Sequence, residues 1–329
     1  MHTTQFMRIT IFSVITLMAP YILSCTKQTN ATTKAINRET GGLIIGFSQM
    51  NHINPWRVAE TNDMKRVAEE RNITLLIADA DSSQESQIRD IKDFLTQGAD
   101  YIVCTPLVFT GWEEVFTACR NAGVPLIMLD REVEGVAGRD FLTFVGSNFI
   151  TEGEMAAEWL ATEMKGEARI VELKGNDGAS CTRDRELGFT SFLKQYPQMR
   201  VITSEFADFE RIKGQKAMEE IILSFGKGFD ALYAHNDEMA IGAIQALKAA
   251  NLQPGKDVTV VSVDGSRDAL KAIIAGQLGA TVECTPKLAT AVFDVIESHR
   301  TGSEIPARIE IRDRLFDRSN AAEYIDEVF

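Results

Sequence analysis

Five places along the chain put hydrogen-bonding side chains directly after short apolar runs. In order, the segments are Asn54-Pro55-Trp56-Arg57, Asp130-Arg131, His235-Asn236-Asp237-Glu238, Asp264-Gly265 and Glu283-Cys284-Thr285-Pro286. Carboxylates accept hydrogen bonds, guanidinium groups donate them through a planar fork, and an asparagine amide does both. Asn and Asp are also favoured helix N-caps, so each segment taken alone has a purely structural explanation. Five such segments at corresponding places together indicate a polar binding site.

No group of residues in the sequence matches a catalytic or cofactor-binding signature. The phosphate loop G-x-x-x-x-G-K-[ST], the zinc motif H-E-x-x-H and the nucleophile elbow G-x-S-x-G are absent. Gly46-Phe47-Ser48-Gln49 stands where a dinucleotide-binding G-x-G-x-x-G would be expected. After the first 40 residues the chain has only His52, His235 and His299, too scattered for a metal site. The sequence therefore predicts a protein that is not an enzyme and needs neither a cofactor nor a metal.

From Gly42 onward, short apolar runs alternate with segments of helical periodicity, and these elements must position the five polar segments. Strands are expected at 43–48, 74–78, 101–105, 126–129, 143–146, 169–173, 200–204, 231–234, 259–263 and 280–282. Helices are expected at 57–70, 84–97, 111–122, 149–164, 183–194, 211–225, 237–250, 267–275 and 286–300. Near-continuous apolar strands separated by helices are typical of parallel sheets covered on both faces. Ten strands are many for one sheet, so the sequence predicts an α/β protein with two doubly wound parallel-sheet lobes, which bind ligands beyond the carboxyl ends of the strands.

The composition is that of a folded protein with about two domains. The chain has 329 residues, of which 45% are hydrophobic and 25% charged, with a formal net charge of −13. A strongly acidic chain lacks the basic surface that nucleic acids and anionic lipids require. Nucleic acid is therefore excluded as a general partner, and so is direct docking on an anionic membrane.

The first 24 residues have the features of an export signal. The uncharged run at 9–24 follows Arg8 and is 16 residues long, shorter than the roughly 20 residues of a membrane span. It ends in Ile22-Leu23-Ser24-Cys25, which resembles the bacterial lipobox and implies cleavage before Cys25 and lipidation of that cysteine. An ordinary signal peptide followed by a chance cysteine is the alternative. Residues 25–41 then form the lipidated cysteine and a polar tether, and the folded part lies outside the cytoplasmic membrane.

Four further cysteines lie in the expected folded part: Cys104, Cys119, Cys181 and Cys284. An exported protein can form disulfides, and the sequence leaves that state open. No C-x-x-C pair is present, so zinc or thioredoxin-like chemistry is not indicated. Their positions in apolar or helical patterns favour buried free thiols.

The order of several short motifs resembles one known family from about Leu43 to about Asn320. The motifs are Gly46-Phe47-Ser48-Gln49, Trp56-Arg57, Thr110-Gly111-Trp112, Leu129-Asp130-Arg131, Gly178-Ala179-Ser180 with Asp184-Arg185, Ala207-Asp208-Phe209, and Ala234-His235-Asn236-Asp237. They resemble the periplasmic sugar-binding proteins of ABC importers, in the ribose- and galactose-binding group and nearest to its galactofuranose-binding members. The resemblance implies the type I periplasmic-binding-protein fold, with two lobes joined by a three-strand hinge. Residues 42–146 plus 285–306 would form lobe 1, and residues 147–284 plus 307–322 would form lobe 2.

The resemblance also implies residue roles for binding a monosaccharide between the lobes. A sugar ring has apolar C–H faces and a rim of hydroxyl groups. Trp56 and Phe209 match the aromatics that cover the two faces, and stacking adds about 1 kcal/mol beyond burial. A core position is the alternative for Trp56. Asp130 and Arg131 match the family's sugar-binding pair, and Arg185 falls where the family places another arginine.

The remaining candidate contacts include two departures from the family pattern. Asn236 matches an amide that pairs with a hydroxyl group, and Asp264 falls at the family's second carboxylate. Arg57 occupies a position that is aromatic in ribose-binding members, which favours a galactofuranose-like ligand over ribose. Cys284 takes the place of a glutamine, a poor replacement for an amide, so Glu283 is expected to substitute for it.

Two residues near the first strand, His52 and Asn54, are further candidate contacts, with a solvated loop as the alternative. The function implied is a lipid-anchored, monomeric receptor that presents a monosaccharide to the membrane subunits of an ABC importer. A sugar sensor that signals through a membrane histidine kinase or chemoreceptor uses the same clamp and is the alternative. A sugar-responsive transcription regulator shares the fold but needs a DNA-binding helix pair before the first strand, where this chain has the export run and tether.

Overall fold

The structure, a computed structural model, describes residues 42–329 of the chain. The predicted export signal at 1–24, the predicted lipidation site Cys25 and the predicted tether up to residue 41 lie outside the described residues. Among the helices of residues 42–329, none combines the length and apolar character that crossing a membrane requires.

Helices and strands alternate along this part of the chain. The strands are β1 (Ile44–Gln49), β2 (Thr74–Asp79), β3 (Tyr101–Cys104), β4 (Leu126–Leu129), β5 (Thr143–Ser147), β6 (Glu167–Lys174), β7 (Gln198–Phe206), β8 (Ala231–Ala234), β9 (Thr259–Asp264), β10 (Ala280–Glu283), β11 (Arg308–Ile311) and β12 (Leu315–Asp317). The helices are α1 (Pro55–Glu70), α2 (Gln84–Thr96), α3 (Glu113–Ala122), α4 (Phe149–Glu163), α5 (Ser180–Leu193), α6 (Arg211–Phe225), α7 (Asp237–Ala249), α8 (Arg267–Ile274), α9 (Ala289–Arg300) and α10 (Ala321–Tyr324).

Local sequence explains where these elements form. Every residue of β1, β3, β4 and β8 is buried, as expected for strands covered by helices on both faces of a sheet. Five helices begin at a side-chain cap that accepts a hydrogen bond from the backbone N–H three residues on; the caps are Asn54, Ser83, Asn148, Asn236 and Ser266. Such a cap contributes about 0.5–2 kcal/mol.

The strands form two six-stranded sheets, one in each lobe. The first has the order β11-β5-β4-β3-β1-β2 and the second has the order β12-β10-β9-β8-β6-β7. Every pairing is parallel except that of β10 with β12. The chain passes between the sheets three times: after β5, between β10 and β11, and between β11 and β12. The predicted fold class, two parallel-sheet α/β lobes, is confirmed.

One lobe boundary differs from the sequence expectation. Residues 307–322 were assigned to lobe 2, but β11 pairs in parallel with β5 in the first sheet, with Arg308 opposite Phe144. The last passage between the sheets therefore lies at 312–314. β11 has the sequence RIEI and forms the half-exposed edge of its sheet, so it lacks the continuous apolar run that marks the central strands.

The four cysteines of the described residues are all free and buried: Cys104, Cys119, Cys181 and Cys284. Burial raises the pKa of the Cys104, Cys119 and Cys284 thiols, which keeps those three protonated at neutral pH. They contribute to the packing of the protein as small apolar groups.

Candidate functional site

A cavity lies between the two lobes, at the carboxyl ends of strands from both sheets. Counted to its open mouth, it has about 310 Å³ not filled by protein atoms, and it is lined by Asn54, Trp56, Arg57, Asp130, Arg131, Cys181, Arg185, Phe209, Asn236, Asp264 and Cys284. We call this space the inner cavity. Nine of the eleven candidate contact residues line it, and Glu283 and His52 are the exceptions.

The inner cavity draws its residues from strand ends and from the first turns of helices. Trp56 and Arg57 lie in the first turn of α1, which begins at Pro55 rather than at residue 57 as expected. Asp130 and Arg131 follow β4, and Asp264 is the last residue of β9. Both sheets therefore point the carboxyl ends of their strands at the same space, as in other doubly wound folds.

Arg57 is held between two carboxylates at the wall of the inner cavity. Its Nη1 donates to Oε2 of Glu60 at 3.0 Å and its Nη2 donates to Oδ2 of Asp130 at 2.5 Å. Glu60 also accepts hydrogen bonds from Gln49 at 2.8 Å and from Thr105 at 3.1 Å. Burial opposes the charged guanidinium, but Asp130 and Glu60 raise the pKa of Arg57 above its ordinary value. Arg57 is therefore a fixed, permanently charged donor.

Arg185 enters the inner cavity from the second lobe with a similar set of partners. Its Nε donates to Oε2 of Glu152 at 2.6 Å, and its Nη1 donates to the backbone oxygen of His235 at 2.7 Å. Both side chains of the ion pair are buried, with 4% exposure for Arg185 and none for Glu152. Breaking a buried pair by removing one partner is costly, so Glu152 positions Arg185.

Arg131 connects the two lobes across the inner cavity. It donates to the backbone oxygen of Leu107 in the first lobe at 3.1 Å and to Oδ1 of Asn176 in the second at 3.3 Å. Burial lowers the pKa of Arg131, and the charges of Arg57 and Arg185 act in the same direction. Its Nε is buried without a hydrogen-bond partner among the described residues. A buried donor left unpaired costs about 1–3 kcal/mol, which a ligand oxygen would recover.

Three residues of the inner cavity have positive backbone φ angles, which residues other than glycine rarely adopt. The φ angles are 62° at Asp130, 62° at Phe209 and 131° at Asp264. Such residues cost of order 1–3 kcal/mol each and cluster at functional sites. Gly175 permits one of them, because a Cβ there would lie 1.8 Å from the ring of Phe209. The rest of the fold therefore holds these three residues in strained backbone conformations, with their side chains lining the inner cavity.

The charges around the inner cavity nearly balance. Arg57, Arg131 and Arg185 carry three positive charges, and the carboxylates of Asp130, Glu60 and Glu152 lie against them. Burial, and then the charge of Asp237, raises the pKa of Asp264 well above its ordinary value. A balanced site of this kind suits a neutral ligand with many hydrogen-bonding groups.

Two of the side-chain amides predicted to contact the ligand also form hydrogen bonds within the fold. Asn54 caps α1, and Asn236 caps α7 while its Nδ2 donates to the backbone oxygen of Phe209 at 3.3 Å. Both the capping explanation and the lining of the inner cavity therefore apply to these residues. His52 lies outside that lining, where its ring nitrogens contact Asp79 at 2.5 Å and Thr61 at 2.9 Å.

Asp237, beside Asn236, has a structural role. Its carboxylate accepts hydrogen bonds from Ser262 at 2.6 Å, from Thr281 at 2.7 Å and from the backbone N–H of Ser266 at 2.7 Å. Burial raises its pKa to about 6. Asp237 thereby ties together the strand ends that carry Asp264 and the crossing after β10.

Glu283 does not line the inner cavity, contrary to the expectation from the sequence. It was expected to replace the missing glutamine, but its carboxylate forms a two-pronged ion pair with Arg314, at 2.7 and 2.8 Å. Glu283 and Asp264 line a separate cavity near the chain end. Side chains alternate along a strand, so Cys284 lines the inner cavity while Glu283 faces away.

Sequence reasoning also missed several residues that shape the inner cavity. Cys181 was considered only as a thiol, yet it lines the inner cavity from the first turn of α5. Glu60 and Glu152 are buried acids within helical patterns, and Asn176 reaches Arg131 from a loop. An acid three residues after an arginine on a helix, as in Arg57 and Glu60, is the one signal that was available.

Trp56 joins the first lobe to the crossing after β10. Its indole Nε1 donates to the backbone oxygen of Cys284 at 2.7 Å, and the guanidinium of Arg57 lies 4.4 Å from the centre of its ring. We expect Trp56→Ala to weaken ligand binding at least about tenfold, through lost stacking and a buried carbonyl left unpaired. Trp56→Phe keeps an aromatic face and loses less. The order of preference among ligands should stay the same in both variants.

Isothermal titration calorimetry measures the ligand affinity of the Trp56 variants, since this method does not depend on tryptophan emission. Trp159→Phe is the matched control, because Trp159 is half-buried and bonded to Asp317 away from the inner cavity. Equal affinity in Trp56→Ala and the control would remove Trp56 from the site.

Asp313 lies in the crossing between β11 and β12, and its carboxyl group makes the free energy of unfolding depend on pH. It accepts a hydrogen bond from Ser147 at 3.0 Å. Burial, and then the charge of Glu152, raises its pKa to about 8. The folded protein therefore holds a proton that the unfolded chain loses near pH 4, so the free energy of unfolding falls as pH rises between about 4 and 8.

We expect the melting temperature to fall more steeply from pH 5 to pH 8 in the wild-type protein than in Asp313→Asn, which cannot ionise at this position. Thermal melts at the two pH values measure the difference. Asp326→Asn, an exposed aspartate near the chain end, is the control and should follow the wild-type protein. Parallel pH profiles for wild-type and Asp313→Asn would contradict the assignment.

Comparisons with known proteins agree on one family. A family profile described as a periplasmic binding protein domain matches residues 45–302. A galactofuranose-binding protein of Escherichia coli (strain K12) is 41% identical over 272 residues, covering 82% of this chain and 86% of the relative. A ribose import binding protein of Bacillus subtilis (strain 168) is 34% identical, covering 81% and 86%.

Solved structures give the same result. The crystal structure of a galactofuranose binding protein superimposes with a TM-score of 0.85 at 40% identity, covering 87% of this chain and 98% of the other. The periplasmic component of an arabinose ABC transporter from Shewanella sp. ANA-3, bound to arabinofuranose, gives a TM-score of 0.84 at 36% identity, covering 86% and 95%.

Proposed function

Because the chain belongs to the periplasmic binding protein family, we propose that it encloses one neutral monosaccharide in the inner cavity and delivers it to an ABC importer. The family and these relatives are sugar-binding proteins of ABC transport and not enzymes, so the prediction of a protein without catalytic activity is confirmed. Membership also gives the folded part an extracytoplasmic location. Lipid attachment at Cys25 is part of the proposal and is supported by the lipobox-like Ile22-Leu23-Ser24-Cys25.

The observation that carries the proposal is the set of buried ionisable groups of both signs at the inner cavity. Arg57, Arg131 and Asp130 come from the first lobe, and Arg185 and Asp264 come from the second. All five are at most 6% exposed. Hydrogen bonds to charged groups contribute about 1.5–3 kcal/mol each when paired, and the same groups reject a ligand that leaves them unpaired. A polyhydroxylated neutral ring meets these requirements.

The fixed guanidinium of Arg57 supports a galactofuranose-like ligand over ribose. The family resemblance places Arg57 where ribose-binding members carry an aromatic residue. Its hydrogen bonds to Glu60 and Asp130 hold its guanidinium in position. The relatives named for galactofuranose and arabinofuranose are also more similar to this chain than the ribose-binding relative is.

Binding then shifts an equilibrium between open and closed lobes. Only a closed arrangement lets Asp130 and Arg185 contact the same ligand, so the ligand stabilises that arrangement. The three passages of the chain between the sheets are the segments that must bend.

Titration of the fragment from residue 27 onward tests the proposal by intrinsic tryptophan fluorescence. The panel contains galactose, arabinose, ribose, glucose, xylose and a galactofuranoside. Saturable binding of the galactofuranoside or arabinose without ribose is expected. Ribose binding would overturn the role of Arg57, and silence across the panel, repeated by thermal shift, would overturn the sugar receptor.

Delivery needs a separate test because a sensor would bind sugar in the same way. The purified importer in lipid vesicles should hydrolyse ATP faster when the liganded protein is added. No response to the liganded protein would count against delivery and favour the sensor alternative.

A further inference from the structure

A second compartment adjoins the inner cavity on its outer side. Asn54, Arg57, Arg131 and Phe209 line both spaces, so the two share a wall built from both lobes. The outer compartment has a volume of about 450 Å³. Pockets that bury a small ligand hold roughly 300–1,000 Å³, so the outer compartment has room for a sugar ring.

The lining of the outer compartment has both apolar and hydrogen-bonding side chains, as the apolar faces and the hydroxyl groups of a sugar ring require. Ile53 and Leu107 give it an aliphatic side, and Ile53 is 56% exposed despite its apolar side chain. Asn51 and Asn176 give it amide groups that can pair with hydroxyls. An exposed isoleucine beside a polar cleft is accounted for if an apolar ring face packs on it.

The charge of the outer compartment excludes one class of substituent. Asp177, Asp208 and Glu210 contribute carboxylates, and Lys213 contributes the only lysine of this lining. The ammonium of Lys213 is already paired with Asp208 at 2.8 Å and with Glu210 at 2.7 Å. Lys213 is therefore not free to bind a phosphate or a sugar acid, and Asp177 forms no ion pair among residues 42–329. The two arginines of this lining, Arg57 and Arg131, lie on the wall shared with the inner cavity.

We propose that the outer compartment is a second sugar subsite, so that the receptor also takes a neutral furanoside or disaccharide whose terminal unit fills the inner cavity. The inference rests on the proposed function, because the terminal unit must bind first. Arg131 lies between the two subsites, and its unpaired Nε is a donor available to the linked sugars.

Calorimetry with defined probes tests this inference. The probes are L-arabinose, D-galactose, methyl β-D-galactofuranoside, the furanose disaccharide arabinobiose and a galactose phosphate. Arabinobiose should bind within about tenfold of the best single-sugar probe, whereas the galactose phosphate should bind at least about tenfold more weakly than arabinobiose.

A variant that fills the outer compartment tests whether the second sugar of arabinobiose binds there. Ile53→Trp should weaken arabinobiose binding by more than about tenfold and leave the monosaccharide within about twofold of wild-type. Ile274→Trp is the matched control, because Ile274 is 54% exposed on α8 and lines neither space. Melting temperatures of both variants show whether they fold. Ile53→Ala, which removes the apolar contact without adding bulk, should weaken arabinobiose selectively and serves if Ile53→Trp does not fold.

The outcomes separate the two proposals. Monosaccharide binding with silent arabinobiose would overturn the outer subsite and leave the sugar receptor intact. Equal loss of monosaccharide and disaccharide in Ile53→Trp would also overturn it, as would an unchanged disaccharide affinity. Silence of every probe would overturn both proposals.

Discussion

Asp130→Ala is expected to weaken sugar binding by about 100-fold or more, which corresponds to about 2.7 kcal/mol. The carboxylate of Asp130 accepts from Arg57 at 2.5 Å and lies 3.9 Å from Nε of Arg131. Removing it deletes a charged acceptor for the ligand and leaves two buried guanidinium groups without its compensating charge. Arg57 keeps its bond to Glu60, so the first lobe is expected to stay folded.

Calorimetric titration with the galactofuranoside or arabinose measures the loss, at a temperature well below the melting point. Asp184→Ala is the control, since Asp184 is 8% exposed and paired with Arg183 outside the inner cavity. Binding to the control should stay within about twofold of wild-type. An affinity of Asp130→Ala within about threefold of wild-type would remove Asp130 from the ligand contacts.

Glu152→Gln is expected to lower both stability and affinity, although Glu152 does not line the inner cavity. The change deprives Arg185 of its carboxylate partner at 2.6 Å, and breaking such a buried pair costs about 3–5 kcal/mol. The melting temperature should fall by roughly 10 °C. Binding should weaken by at least about tenfold, because Arg185 is no longer held toward the ligand.

Thermal melts with and without saturating sugar, together with calorimetry, measure the two effects. Glu154→Gln changes an exposed acid on the same helix and should alter neither quantity. If Glu152→Gln lost stability but kept wild-type affinity, Glu152 would serve only the fold of the second lobe.

Much of the inner cavity was predictable because parallel sheets bring the carboxyl ends of their strands to one edge. Trp56, Arg57, Asp130, Arg131, Asn236 and Asp264 all follow apolar runs closely, and that rule alone groups them. Arg185 and Phe209 lie on a helix and in a loop, and only the family resemblance pointed to them. Glu283 follows a strand as well, yet the alternation of side chains turns it to Arg314.

The sequence by itself determined the fold class, the strand-end residues, the absence of catalytic motifs and the predicted export signal, since each depends on local pattern. Tertiary structure alone decided the pairing of Arg185 with Glu152, the raised pKa of Asp264 and the presence of the outer compartment beside the inner cavity. These features join residues far apart in the chain, as Glu152 and Arg185 are, 33 positions from each other. Burial and Coulomb interactions depend on distance in space, which spacing along the sequence does not specify.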